Sequence, residues 1–130
     1  MQEWTEEKLK EAGYSITNAK ITSADITLDS HGFLFIRLKI KCDHFIFFYR
    51  FEIGSANEKI LDKYPKLNEF IAKLFTVTGV SSFNDLDGTY IRVAYKQGTR
   101  LYKIEISNII GNIIEDKWLD KEKIFVEEDK

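Results

Sequence analysis

GVSSFNDLDGTYIRV, residues 79–93, decides how this chain is read. Gly79 ends a helical pattern, Ser82 with Asp85 forms a short capped turn, and Asp87-Gly88 makes a second turn. A strand then starts at Thr89, with Arg92 on one face and Ile91 and Val93 on the other. GNIIEDKW, residues 111–118, echoes the pattern, because Gly111 breaks a strand in its turn. A helix, a tight turn and a strand in immediate succession point to an α+β fold.

Upstream of Gly79 lies the helix. Leu67, Phe70, Ile71, Leu74 and Phe75 recur at i, i+3, i+4, i+7 and i+8, an apolar stripe suited to lying on a sheet. Pro65 suits the first residue of that helix, and Ser55-Ala56-Asn57-Glu58 has the spacing of a capping box for a preceding one.

The sheet is written earlier in the chain. Leu34, Ile36, Leu38, Ile40 and Cys42 alternate with Phe35, Arg37, Lys39 and Lys41. After an Asp43-His44 turn, Phe45, Phe47, Tyr49, Phe51 and Ile53 alternate with Ile46, Phe48, Arg50 and Glu52. Both runs have the period of half-buried strands. A looser strand, bulged and most secure over Ile21 to Leu28, precedes the Ser30-His31-Gly32 turn. The three strands read as an antiparallel meander.

Thr5 to Ala12 reads as a short helix capped by Thr5. Downstream, Thr89 to Tyr95 and Arg100 to Ile109 read as a hairpin. Ile113 and Ile114 extend the sheet, and Trp118 to Phe125 closes the domain as a short helix. The expectation is one domain, residues 1–130, with about five antiparallel strands and helices on one face.

Composition narrows the function classes. The chain is 44% hydrophobic and 31% charged, as globular domains are, and 14% aromatic with a single Pro, which favours sheet. No apolar run approaches the roughly 20 residues that span a bilayer. The start, MQEWTEEKLKE, is acidic and polar, unlike a signal peptide. Cys42 stands alone and fits a reducing compartment, so the cytosol is expected. The net charge of −2 conceals a basic middle: residues 37–103 carry a net +5, residues 1–36 carry −3 and residues 104–130 carry −4. Such a split marks a candidate anion-binding surface.

No catalytic or cofactor motif is present. His31 and His44 lie 13 residues apart in turns, poor spacing for metal ligands. Cys42 falls on the apolar phase and reads as a small buried hydrophobe. The polar phase of the strands is more informative, since Arg37, Lys39, Lys41, Arg50, Arg92, Lys96 and Lys103 share it with Phe33, Phe35, Phe48 and Tyr90. Guanidinium forks and aromatic faces bind phosphates and stack bases. A small nucleotide, single-stranded nucleic acid or an acidic protein surface would suit that face. A covering helix or a second copy of the chain would suit it too, with Lys stems snorkelling.

FNDLDGTYIRV and IGNIIEDKWLD resemble a group of small, mostly uncharacterised phage and prophage proteins. Those share a pattern like W-E-D-L-x-G-K-Y-x-R-V, then I-G-x-I-I-x-D-K-W-F. Phe83, Asp85, Leu86, Gly88, Tyr90, Ile91, Arg92 and Val93 match the first block, with Phe83 in place of Trp. Gly111, Ile113, Ile114, Asp116, Lys117 and Trp118 match the second, and His31-Gly32 matches a D/E-H-G turn. A Gly-rich F-G-G segment of the group has no counterpart, because residues 47–51 read FFYRF.

The resemblance implies a small accessory protein of the host cytosol that acts by binding, as counter-defence factors do, with a small nucleotide-cleaving enzyme using His31 as a third reading behind the two binding mechanisms. One mechanism is sequestration of a nucleotide immune signal, such as a cyclic nucleotide, held by candidate ligand-binding residues His31, Arg37, Tyr49, Arg50, Tyr90, Arg92, Lys96 and Trp118. The alternative is an anti-CRISPR-like inhibitor that binds a host nuclease or its nucleic-acid site. Neither needs a cofactor, a metal or a membrane, and a homo-oligomer is compatible with both.

Overall fold

The computed structural model describes residues 3–43, 45–55, 64–97 and 104–122. The elements are α1 (Glu6–Glu11), β1 (Ser15–Leu28), β2 (Phe33–Cys42), β3 (Ile46–Ser55), α2 (Tyr64–Thr78), β4 (Tyr90–Gln97), β5 (Ile104–Asn112) and β6 (Trp118–Asp120). A 3₁₀ turn over Phe83–Leu86 joins α2 to β4. All pairings are antiparallel, and the sheet order is β3-β2-β1-β4-β5-β6. The α+β class and the meander hold. The expected five strands become six among the described residues, because Trp118–Asp120 adds a short edge strand to β5, while the long β1 joins the meander to the hairpin by pairing with β2 and with β4.

Alternation assigns the two faces. Ile36, Leu38, Ile40, Tyr49, Phe51, Ile91, Val93, Ile110 and Leu119 turn inward and pack on Phe70, Leu74 and Val77 of α2. Phe70 is fully buried, its ring stacked on Phe51 at a centroid separation of 4.1 Å. Burying such a ring contributes about 1.5–3 kcal/mol, before the entropy of ordering it is counted. Cys42 lies on this inner face, and burial pushes its thiol up to about 11.

The helices do not share one face, as the sequence suggested. Leu9 of α1 packs with Ala94, Ile109, Ile16 and Trp118, which alternate with the inner residues and so lie on the outer face. An apolar stripe as short as that of α1 gives no sign of which face it will cover. The C-terminal expectations also change. Residues 113–116 form bends, not strand, and Trp118–Asp120 is a strand paired with β5; helical backbone begins only at Lys121, and the rest of the expected Trp118–Phe125 helix lies outside the described residues. Ser82 makes no side-chain capping bond; Asp85 N–H donates to its carbonyl at 3.0 Å instead. The expected capping box at Ser55–Glu58 extends outside the described residues.

Register shifts at Ile21/Ser23, Leu34/Phe35 and Ala94/Tyr95 mark irregular positions of the kind that locally strengthen twist. The residue after β6 reaches the strand at the opposite edge, β3. The Lys121 ammonium donates to the Arg50 carbonyl of β3 and sits 4.7 Å from the Tyr49 ring centroid. Desolvation lowers the Lys121 pKa there. No helix among the described residues is long and apolar enough to cross a membrane.

Candidate functional site

The outer face divides into a covered half and an open half. In the covered half, Arg92 of β4 lies opposite Gly111 of β5, which lies opposite Trp118 of β6. A Cβ at Gly111 would fall 2.2 Å from the Trp118 ring, so only glycine lets that ring lie over the strand. The Arg92 guanidinium sits 4.7 Å from the Trp118 ring centroid. Its Nε donates to the Asn112 carbonyl at 2.7 Å, one terminal nitrogen to Glu6 Oε1 at 3.0 Å, and the other to the Glu115 carbonyl at 3.0 Å. With its side chain only 13% exposed, Arg92 has its fork committed to the protein.

Neighbouring residues complete the clamp. Asp116 Oδ1 accepts from the Glu6 N–H at 2.7 Å, where the α1 amides are unsatisfied, and from the Trp118 indole at 2.6 Å. Asp120 accepts from the Trp4 indole at 2.9 Å. Asn112 Oδ1 accepts from the Ile114 and Glu115 amides, while its Nδ2 donates to the Val77 carbonyl near the end of α2. Lys10 and then Arg92 hold the Glu6 carboxyl below its ordinary range. Both sequence blocks therefore converge on one structural joint.

The open half is the outer face of β1, β2 and β3, with the start of β4 beside it. Its register sets like charges directly opposite each other. Lys20 faces Lys41 across β1 and β2, and Arg37 faces Arg50 across β2 and β3. Lys39 stands between those rows, opposite Phe48. Directly opposed like charges destabilise a sheet. Aromatic and acidic neighbours offset part of this. Arg37 lies 5.1 Å from the Phe48 ring centroid and bonds Asp25 at 3.2 Å, and Arg50 lies 4.8 Å from the Phe35 ring centroid. The Thr27 hydroxyl and then Arg37 hold the Asp25 carboxyl low. Phe48 remains 47% exposed and Tyr90 58% exposed, the latter with Lys20 at 5.4 Å from its ring centroid.

A groove of about 380 Å³ runs along the β3 edge, between Asp29, Phe33, Phe35, Arg50, Glu52, Lys121 and Glu122. Its three carboxylates offset its two cations.

The eight candidate residues are thus dispersed. Arg37 and Arg50 stand together on the open half, and Tyr90 flanks it. Arg92 and Trp118 belong to the covered joint. Lys96 lies on the Tyr14 ring at 4.6 Å, beside the end of α1. Tyr49 is 2% exposed on the inner face, stacked near Phe70, and burial raises its hydroxyl pKa well above the ordinary value. His31 is exposed at the β1–β2 turn, where Asp29 Oδ1 accepts the His31 and Phe33 amides. Lys20 is not among the sequence-derived candidates, because its place opposite Lys41 depends on the β1–β2 register beyond the irregularity at Ile21/Ser23.

Compared with known proteins, the chain matches no family model and no curated sequence. Among the described residues, no group of three or more His, Cys, Asp or Glu side chains could hold a metal ion.

Proposed function

We propose that this chain acts by binding, and that the open outer face of β1–β3 takes a phosphate-bearing partner. The observation that carries the reading is the pair of like-charge oppositions, Lys20 with Lys41 and Arg37 with Arg50. A sheet surface that sets cations against each other is destabilised until an anion lies between them. The phage resemblance supplies the setting: a counter-defence protein of the host cytosol that masks the nucleic acid, or the nucleic-acid site, used by a host nuclease. An open strand face suits a broad or extended partner better than a small one, because small ligands are held in concave sites that enclose most of their surface.

Sequestration of a nucleotide signal, the leading expectation from the sequence, becomes the second reading. The groove beside Arg50 favours it by size, within the ~300–1,000 Å³ of small-molecule sites. Its carboxylates Asp29, Glu52 and Glu122 oppose a phosphate.

Thermal unfolding against linear nucleotides, cyclic nucleotides and polyphosphate tests both. A ligand at 100 times its dissociation constant adds about 2.7 kcal/mol of stability. The open-face reading expects polyphosphate to raise the midpoint, and Lys39→Glu with Lys41→Glu to abolish the rise. A midpoint unmoved by every phosphate compound refutes it. A shift with one cyclic nucleotide alone, retained in the Lys39→Glu/Lys41→Glu variant, transfers the function to the groove.

A further inference from the structure

We infer that the partner of the open face is single-stranded nucleic acid, lying along β2 with its bases stacked on Phe48 and Tyr90. The inference rests on the phosphate-binding reading above and adds the class of polymer. Arg37, Lys39 and Lys41 occupy alternate positions of one strand, so they project from the same face at a pitch of ~6.6–6.8 Å. That pitch matches the step between phosphates in an extended single strand. Lys20 widens the cationic track at one end and Arg50 at the other.

The rings flank this track. Phe48 stands opposite Lys39 on the β3 side. Tyr90 stands on the β4 side, in the row that runs through Lys20 to Lys41. Strand spacing puts the Tyr90 and Lys41 backbones about 10 Å apart, within reach of a base whose phosphate sits on the track. Both rings are about half exposed, and each already has a cation near one side, Arg37 at Phe48 and Lys20 at Tyr90. A base stacked on the ring's free area would join a cation–ring–base arrangement of the kind that holds single strands without sequence preference.

A duplex offers its phosphates but hides the faces of its bases, so it would leave both rings unused. An acidic protein surface would engage the lysines and has no general use for two separated stacking platforms. Three lysines of the open face, Lys20, Lys39 and Lys41, set the salt response. Three phosphates neutralised on a single strand give a slope of about −2 in log affinity against log salt.

Fluorescence anisotropy with labelled oligothymidine, its duplex with oligoadenine, and labelled polyphosphate tests the inference on the full chain. Expected is tightest binding to the single strand, with that salt slope. Phe48→Leu and Tyr90→Leu should each weaken single-strand binding roughly ten-fold or more while leaving polyphosphate binding and the unfolding midpoint in place. Equal affinity for single strand and polyphosphate, with both ring variants inert, overturns the inference and leaves the phosphate-binding reading standing. Duplex binding as tight as single-strand binding also overturns it. No binding to any of the three removes both.

Discussion

The two halves of the outer face use the same residue types to opposite ends. In the covered half, Arg92 meets Trp118, Glu6 and two carbonyls, and each contact satisfies a donor or a ring. In the open half, Arg37 meets Arg50 and Lys20 meets Lys41, and Phe48 is left half bare. An arginine beside an aromatic ring therefore says little by itself. What distinguishes a joint from a binding surface is whether the protein supplies the acceptors. The recognisable blocks, D-L-D-G-T-Y-I-R-V and I-G-N-I-I-E-D-K-W, supply Arg92, Gly111, Asp116 and Trp118 to the joint, whereas the candidate surface, Tyr90 apart, lies in strands with no motif.

The sharpest way to break this contrast is Arg92→Ala. It removes three hydrogen bonds at the join of α1, β4 and the β5–β6 turn, and should lower stability by about 2–4 kcal/mol in urea unfolding. Polyphosphate affinity of the folded fraction should not change. If affinity collapsed with stability intact, Arg92 would belong to the binding surface and the division would be wrong.

Gly111→Ala should come next, with a loss of about 1–3 kcal/mol as Trp118 is pushed off the strand. Indole fluorescence would report whether the ring moved. A stable variant with unchanged emission would mean that Trp118 has room the geometry does not reveal.

On the open half the sign should reverse. Lys41→Glu replaces a like pair with Lys20 by an opposite one, so stability should rise by about 0.2–1 kcal/mol while polyphosphate binding weakens. A variant that lost both would show that Lys41 has a structural role and that the like-charge argument fails.

The smallest effect concerns acid. Asp25 has its pKa lowered in the fold by the Thr27 hydroxyl and by Arg37. A carboxylate depressed in the folded state contributes stability that is present above its unfolded value of about 3.9 and is lost as pH falls through the folded value. Stability should therefore decline below about pH 4, and Asp25→Asn should make that decline shallower. An unchanged acid limb in Asp25→Asn would mean that the Arg37 contact is not made in solution.

Much of the fold was legible because strand periodicity is a local signal. The phases of β2 and β3 are those seen, and so is the apolar stripe of α2. The face covered by α1 was not legible, because Leu9 is its one buried residue and could have served either side. Trp118 was taken for a helix start because its strand is three residues long, too short to show alternation. Tyr49 and Arg50 could not both serve one face, because adjacent strand residues point to opposite sides, and Tyr49 is the one turned inward.

The chain by itself determined which residues alternate, where its turns fall and that its middle is basic, since each depends on near neighbours along the backbone. Only the tertiary structure decided that Arg92 is consumed by Trp118, Glu6 and the β5–β6 turn. It also decided that Lys20 confronts Lys41 and Arg37 confronts Arg50. Those meetings depend on strand register, which hairpins, bulges and packing on α2 set together, and no stretch of sequence carries that information alone.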